Sequence, residues 1–329
     1  MKISTGLKLT ACAAALAVFG VNIPASQASD VTSLKTKFAT DVAYAGVGGL
    51  RNQGSGEITL SGVSGTVTEA LLFWHGPTSS EDPNANAAVT FAGTGVVGTN
   101  LGVSDDNCWG FANSQAYRAD VTSLVPGNGT YALADFTKAS VEINGAQLVV
   151  FYDDGNAANN RDVVMFNGND SNIENDFDAL GWNVSLPGIN YVSGAASMDL
   201  VVSDGQTFPD GTLEVNAATL DAGPNLFSGD TVPLATGSQS QSLWDQKTYD
   251  VTANLTPGAN TLTLTHQAID AGDCLSMVYA AVNLPAGAAP DQPTTTTTTE
   301  APPAPEPEPE PEPQVVVVTP ARVQPRFTG

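Results

Sequence analysis

Two histidines, three cysteines, four tryptophans and several carboxylate pairs are the residues of this chain with chemistry to offer. His75 follows Trp74 at the end of an apolar run, and His266 ends the alternating segment Thr261–Thr265. Serines and aspartates abound, so a Ser-His-Asp site is conceivable on composition. No nucleophile elbow of the Gly-x-Ser-x-Gly type occurs, however, and Gly62-Val63-Ser64-Gly65 lacks its spacing. Both histidines therefore read as structural, and the chain as non-enzymatic. The turns Asp153-Asp154-Gly155-Asn156 and Asn167-Gly168-Asn169-Asp170 carry the hard oxygen ligands that calcium prefers. Ser80-Glu81-Asp82 and Asp105-Asp106-Asn107 do likewise, but none matches a spaced calcium loop. Asp153 and Asp154 are the best calcium ligands on offer; no other cofactor is implied.

Tryptophan faces can stack on sugar rings. Trp74 and Trp182 lie in apolar contexts and read as core, and Trp109, beside Cys108, reads as the cover of a disulfide, as in immunoglobulin-like sandwiches. Trp244, in Ser242-Leu243-Trp244-Asp245, is the one expected to be exposed and to bind a ligand.

The start of the chain has the layout of an export signal. Lys2 and Lys8 precede the apolar run Leu9–Val21, and Ser26-Gln27-Ala28 offers a cleavage site. Leu9-Thr10-Ala11-Cys12 imitates a lipoprotein box, but most of the apolar stretch follows Cys12 instead of preceding it. The run is too short for a membrane span, and no other segment is apolar for long enough. The expectation is a secreted or cell-surface protein without a transmembrane segment in its mature form. Cys108 and Cys274 then remain, and two thiols in an oxidising compartment most simply pair with each other. Two free thiols or an intermolecular bridge are the alternatives.

Composition narrows the partners. The chain holds 34 acids against 11 bases, a formal charge of −23, which excludes the basic footprint that nucleic acid requires. Only 14% of residues are charged, where an ordinary soluble domain has about 25%. Thr66–Trp74, Gln147–Tyr152, Asp162–Phe166, Ser197–Val202 and Ser276–Val282 are strand-like, and no dozen residues carry a helical stripe. The fold class is all-β.

An internal similarity organises the body. Asp120-Val121-Thr122-Ser123-Leu124-Val125-Pro126-Gly127 recurs as Asp250-Val251-Thr252-Ala253-Asn254-Leu255-Thr256-Pro257-Gly258, read as strand, turn and return strand. Two β-sandwiches of jelly-roll or Ig-like plan are expected, over 29–172 and 173–287, after a signal peptide over 1–28. Beyond them, 288–313 is a Thr/Pro/Glu-rich linker, expected to be disordered and extended, with a reach of ~60 Å at ~3.1 Å per residue. Residues 314–329 form a tip. There Val315, Val316, Val317 and Val318 can add as a strand to a sheet edge, and Arg322 and Arg326 can meet an acidic surface. The body from Ser29 to Gly287, with 28 acids and 7 bases, is such a surface.

The order Tyr117-Arg118-Ala119-Asp120-Val121-Thr122, Gly145-Ala146-Gln147-Leu148-Val149-Val150-Phe151-Tyr152-Asp153 and Arg161-Asp162-Val163-Val164 is distinctive in combination. It resembles an uncharacterised β-sandwich module of large secreted or surface-displayed bacterial repeat proteins, with Gly181–Leu284 as the partner sandwich. The resemblance implies surface location and a structural or adhesive role, and transfers no catalytic residue. This chain has a single module pair where those proteins carry arrays. The reading is a bacterial adhesion or assembly protein whose partners are other surface or matrix proteins or further copies of itself. The alternative is a glycan- or calcium-dependent binding module.

Overall fold

Runs of β-branched and aromatic residues bounded by Gly, Asn and Asp become strands throughout the body. The computed structural model describes residues 31–287 apart from 139, 140 and 178. The expected leader (1–28), linker (288–313) and tip (314–329, with Val315–Val318, Arg322 and Arg326) lie outside the described residues.

The strands are β1 Thr32–Gly48, β2 Gly56–Leu60, β3 Thr66–Thr78, β4 Ala88–Phe91, β5 Thr94–Val97, β6 Thr99–Ser104, β7 Asn113–Asp120 and β8 Gly129–Ala134. They continue as β9 Gly145–Asp153, β10 Arg161–Ser171, β11 Trp182–Tyr191, β12 Ser197–Ser203, β13 Leu213–Val215, β14 Ala218–Asp221, β15 Trp244–Asp250, β16 Gly258–His266 and β17 Ser276–Pro285. The only helical segments among the described residues are two single 3₁₀ turns. The fold is all-β, in antiparallel sheets.

One nine-stranded sheet, in the order β15-β12-β17-β10-β1-β9-β3-β7-β6, runs through the whole body. Two four-stranded sheets accompany it, β2-β8-β4-β5 and β11-β16-β13-β14. β1 makes the long sheet possible. Its first part, Thr32–Thr40, pairs with β10, and its second, Asp41–Gly48, pairs with β9. The change of partner coincides with a register shift between Lys37 and Thr40 and with Ala39 at φ +47°. A bulge of this kind bends a strand and lets it pass from one packed sheet to another. Asp162 holds the bend by accepting the Ala39 amide at 2.8 Å.

β3, β9, β10, β12 and β17 are buried on both faces over most of their length, and alternate residues feed different cores. In β3, Leu72 and Trp74 join Ile58, Phe91 and Leu133 of the first small sheet. Leu71 and Phe73 point the other way and meet Val163 and Met165 of β10, Val201 of β12 and Tyr279 of β17. In β10, Val164 and Phe166 pack instead on Trp182, Leu186 and Leu264 of the second small sheet. The two arms of the nine-stranded sheet thus face each other across a shared middle core, and each carries a small sheet on its outer face. Packing divides the chain elsewhere than at residue 172: β10, inside the expected first half, pairs with β17 and serves the core built mainly by residues 182–284.

The internal repeat has a structural counterpart. Each copy leaves the large sheet through a 3₁₀ turn, Thr122–Leu124 or Thr252–Asn254, and enters a small sheet as β8 or β16. Asp120 and Asp250 each accept the amide of the following Thr at 2.9 Å. Thr122 and Thr252 then accept the amides of Ala70 (3.0 Å) and Ala196 (2.9 Å). The repeat is therefore a crossover between layers, not the hairpin its Pro-Gly pair suggests.

The bend gives a direct test. A β-branched side chain is strongly disfavoured at positive φ, so Ala39→Val should destabilise by roughly 1–2 kcal/mol in urea unfolding. Ala39→Gly should be neutral or stabilising by a few tenths of a kcal/mol.

Candidate functional site

One tryptophan departs from the role its sequence context suggests. Trp244 is fully buried in the middle core and donates its indole N–H to Gln147 at 3.3 Å, which overturns its expected exposure. Its polar neighbours misled: Gly145 at the start of β9 lets the ring lie on the backbone, and a Cβ there would meet the indole at 2.7 Å. Trp74 and Trp182 are core, as expected. Trp109 is 42% exposed.

Trp109 sits where the chain is most constrained. Asp105 accepts the amide of Asn107 at 2.8 Å and Asp106 that of Cys108 at 3.0 Å, and both donating residues lie at positive φ (+58° and +65°). The acidic pair read as a calcium candidate thus shapes this turn. Cys108 is disulfide-bonded to Cys274, with Cα atoms 6.1 Å apart and a sequence separation of 166 residues. Asn107 ties the same two segments: its side chain donates to the Cys274 carbonyl at 3.0 Å and accepts from the Ser276 hydroxyl at 3.1 Å.

The indole is held from two sides. Its N–H donates to Asp204 at 2.7 Å, and the Arg51 guanidinium lies 3.8 Å from the ring centroid. Arg51 is only 5% exposed, and none of its guanidinium nitrogens has a hydrogen-bond partner among the described residues. Its contact with the ring is a desolvated cation–π interaction, worth roughly 2 kcal/mol. Burial lowers its pKa, opposed by the charges of Asp204, Glu142 and Asp106. Burial raises Asp204 well above the usual carboxylate range, opposed by Arg51 and the Trp109 hydrogen bond.

Two hollows meet at this tryptophan. The first, about 430 Å³, is lined by the disulfide, Trp109, Gln206, Phe208 and Asp273. The second, about 290 Å³, is lined by Trp109, Gln206, Arg51, Asn52, Ser240 and Gln241, among others. Trp109 and Gln206 belong to both, so the hollows form one interrupted groove. Phe208, 51% exposed, adds a second apolar surface. Apolar rings beside side-chain amides and a carboxyl make a surface suited to a ligand with both C–H faces and hydroxyls.

The remaining candidates do not converge on this groove. Asp153 accepts the Gly155 amide at 2.8 Å, while Asp154 accepts Asn156 and Asn159 at 2.8 and 2.9 Å. Both carboxylates serve their own turn. Among the described residues no group of three or more His, Cys, Asp or Glu is placed to hold a metal. His75 is fully buried, and burial lowers its pKa to about 3. His266 packs against Trp182 with ring centroids 4.7 Å apart, and burial lowers it to about 4.

Arg51, Asp204, Gln206, Phe208 and Asp273 escaped sequence reasoning. They come from three distant segments, and only the Asp-Asn-Cys-Trp-Gly turn carried a local signal: a large aromatic among turn formers.

A family model described as "Protein of unknown function (DUF3344)" matches residues 29–284. No curated protein matches the chain. Among solved structures, the chain is similar to crystal structures of BuGH86, wild type and a variant, each in complex with neoagarooctaose. Identity is 12% in both cases, the match covers 78% of this chain and 34% of those chains, and the TM-scores are 0.25 and 0.24. The chain spans about a third of their length, and a likeness this slight says nothing of what it does.

Three outcomes test this description. Reduction of the disulfide, which closes a loop of 166 residues, should lower the melting temperature by removing up to about 5 kcal/mol in the chain-entropy limit. EDTA should leave the melting temperature unchanged; a fall of several degrees would assign a cation to the Asp153-Asp154 turn. The third concerns pH. Burial first, then Asp210 and Asp245, raise Asp273 to about 7, against the hydrogen bonds from Gln206 and Cys274. The unfolded chain ionises near 3.9, so this contribution is complete below about pH 4 and is lost as pH rises through about 7. Asp273→Asn should therefore gain roughly 1–3 kcal/mol over wild type at pH 8, and nothing at pH 4, in urea unfolding. The buried histidines act in the opposite sense, losing stability as pH falls from 6.5 through about 4 and about 3.

Proposed function

The chain belongs to the family described as protein of unknown function (DUF3344), and we propose that it is a non-enzymatic extracellular attachment protein whose groove at Trp109 binds carbohydrate. The carrying observation is an aromatic face that is exposed and yet immobilised, with a guanidinium against it, a carboxyl on its N–H and a disulfide at its base. Rigid aromatic anchors bind well because little conformational entropy remains to be lost. Flanking amides supply the hydrogen bonds that sugar hydroxyls require.

The extracellular part of the proposal rests on the export-signal layout of residues 1–28 and on the disulfide, which oxidising compartments favour. The body reads as two β-sandwiches that share a folded sheet. A stiff scaffold of this kind suits adhesion at a bacterial surface. The burial of both histidines supports a non-catalytic role.

The test is isothermal titration of the secreted protein with soluble neutral oligosaccharides, guided by a glycan array. Trp109→Ala should weaken binding by about tenfold or more, equivalent to about 1.4 kcal/mol. Its melting temperature should fall, since the ring covers Arg51 and donates to Asp204, so binding is compared at a temperature where both proteins are folded. Equal binding by wild type and Trp109→Ala would reject the proposal.

A further inference from the structure

Resting on the carbohydrate reading of the Trp109 groove, we infer that its ligand is a neutral, linear oligosaccharide lying across both hollows, and that acidic sugars are excluded.

Length follows from the shape of the site. The hollows of about 430 and about 290 Å³ share Trp109 and Gln206, so neither is a closed pocket for a single ring. Arg51 lines only the second hollow, while the disulfide and Phe208 line only the first. A ligand confined to one hollow leaves the other's surface unused. A chain that passes over Trp109 reaches the apolar side at Phe208 and the amide side at Gln241 together. Each hollow is of a size for sugar rings rather than for a folded protein segment, and the polar side chains stand on its walls, where hydroxyls project from a linear chain.

Charge follows from what a ligand can touch. Among the described residues, the one cation lining the groove, Arg51, has its guanidinium nitrogens buried away from solvent, so it cannot offer the bidentate pairing that recognises a carboxylate or sulfate. The carboxyl groups of Asp204, Glu142 and Asp106 lie near it, and Asp273 adds a carboxyl to the wall of the first hollow. The surrounding body carries 28 acids against 7 bases. An anionic sugar entering the groove meets repulsion with no accessible compensating partner, which is discrimination by an unfavourable term as much as by a favourable one. A neutral sugar meets amides and aromatic faces and carries no such cost.

The experiment titrates the full secreted protein with cello-, xylo- and manno-oligosaccharides from disaccharide to hexasaccharide, and with oligogalacturonates of the same lengths, at low and high salt. In at least one neutral series, affinity should rise about tenfold from disaccharide to hexasaccharide and be insensitive to salt. The galacturonates should bind at least about tenfold more weakly at low salt, with the gap narrowing as salt rises. Phe208→Ser and Gln241→Ala, at opposite ends of the groove, should each weaken hexasaccharide binding while leaving the melting temperature unchanged. Galacturonates that bind as well as the neutral chains, or a disaccharide that binds as tightly as its hexasaccharide, would overturn this inference and leave the carbohydrate reading standing. A protein that binds no saccharide of either kind would overturn both.

Discussion

The bend of β1 at Ala39–Thr40 is the constraint on which the rest of the body depends. Without it the strand would pair with β10 or with β9 along its whole length, and the nine-stranded sheet would be two. With it, one strand hands the sheet from one arm to the other, and the inner faces of the arms are brought together. β3, β9, β10 and β17 are then buried on both sides, which is why they read as nearly continuous apolar runs. Polar groups caught between the arms must find partners there. Several do so toward the disulfide, where Asn169 donates to Ser114 and Asn144 to Ser203 and Asp204. The apolar middle core gives way to hydrogen-bonded contacts, and these lead to the surface at Trp109.

The same geometry accounts for what could be read in advance. Strand content, the paired cysteines and the equivalence of the two Asp-Val-Thr segments are local or combinatorial signals, and local chemistry decides them. Thr122 and Thr252 perform the same task because the same residues precede them. The continuity of the large sheet was not legible. A run such as Gln147–Tyr152 announces burial on both faces without saying what covers each one. The assignment of β10 to the far core depends on pairing with β17, more than a hundred residues later in the chain. The burial of Trp244 was not legible for the same reason. Turn-forming neighbours made Trp244 look exposed, but its exposure is set by Gly145 and Gln147 of a distant strand.

At the groove, the proposed recognition draws on the same contacts as stability. Arg51 leaves the end of β1, Asp204 follows β12 and Cys274 precedes β17, so the indole is clamped by elements from both arms. Burying a guanidinium without hydrogen bonds is costly, and stacking on the ring offsets only part of that cost. Such an arrangement is worth keeping where it fixes a surface for a ligand, because an aromatic platform held still before binding loses little freedom on binding. The carboxyls Asp204 and Asp273 beside it have pKa values raised by burial, and among the described residues the one cation lining the groove, Arg51, is itself buried.

The most direct measurement is a heteronuclear NMR titration of the four tryptophan indole N–H groups with the neutral hexasaccharide that binds best. Three of these rings are buried and one is exposed at the groove. The account predicts that the Trp109 resonance shifts with saturation while those of Trp74, Trp182 and Trp244 stay in place. A Trp109 resonance that does not move while the saccharide binds elsewhere on the protein would contradict it.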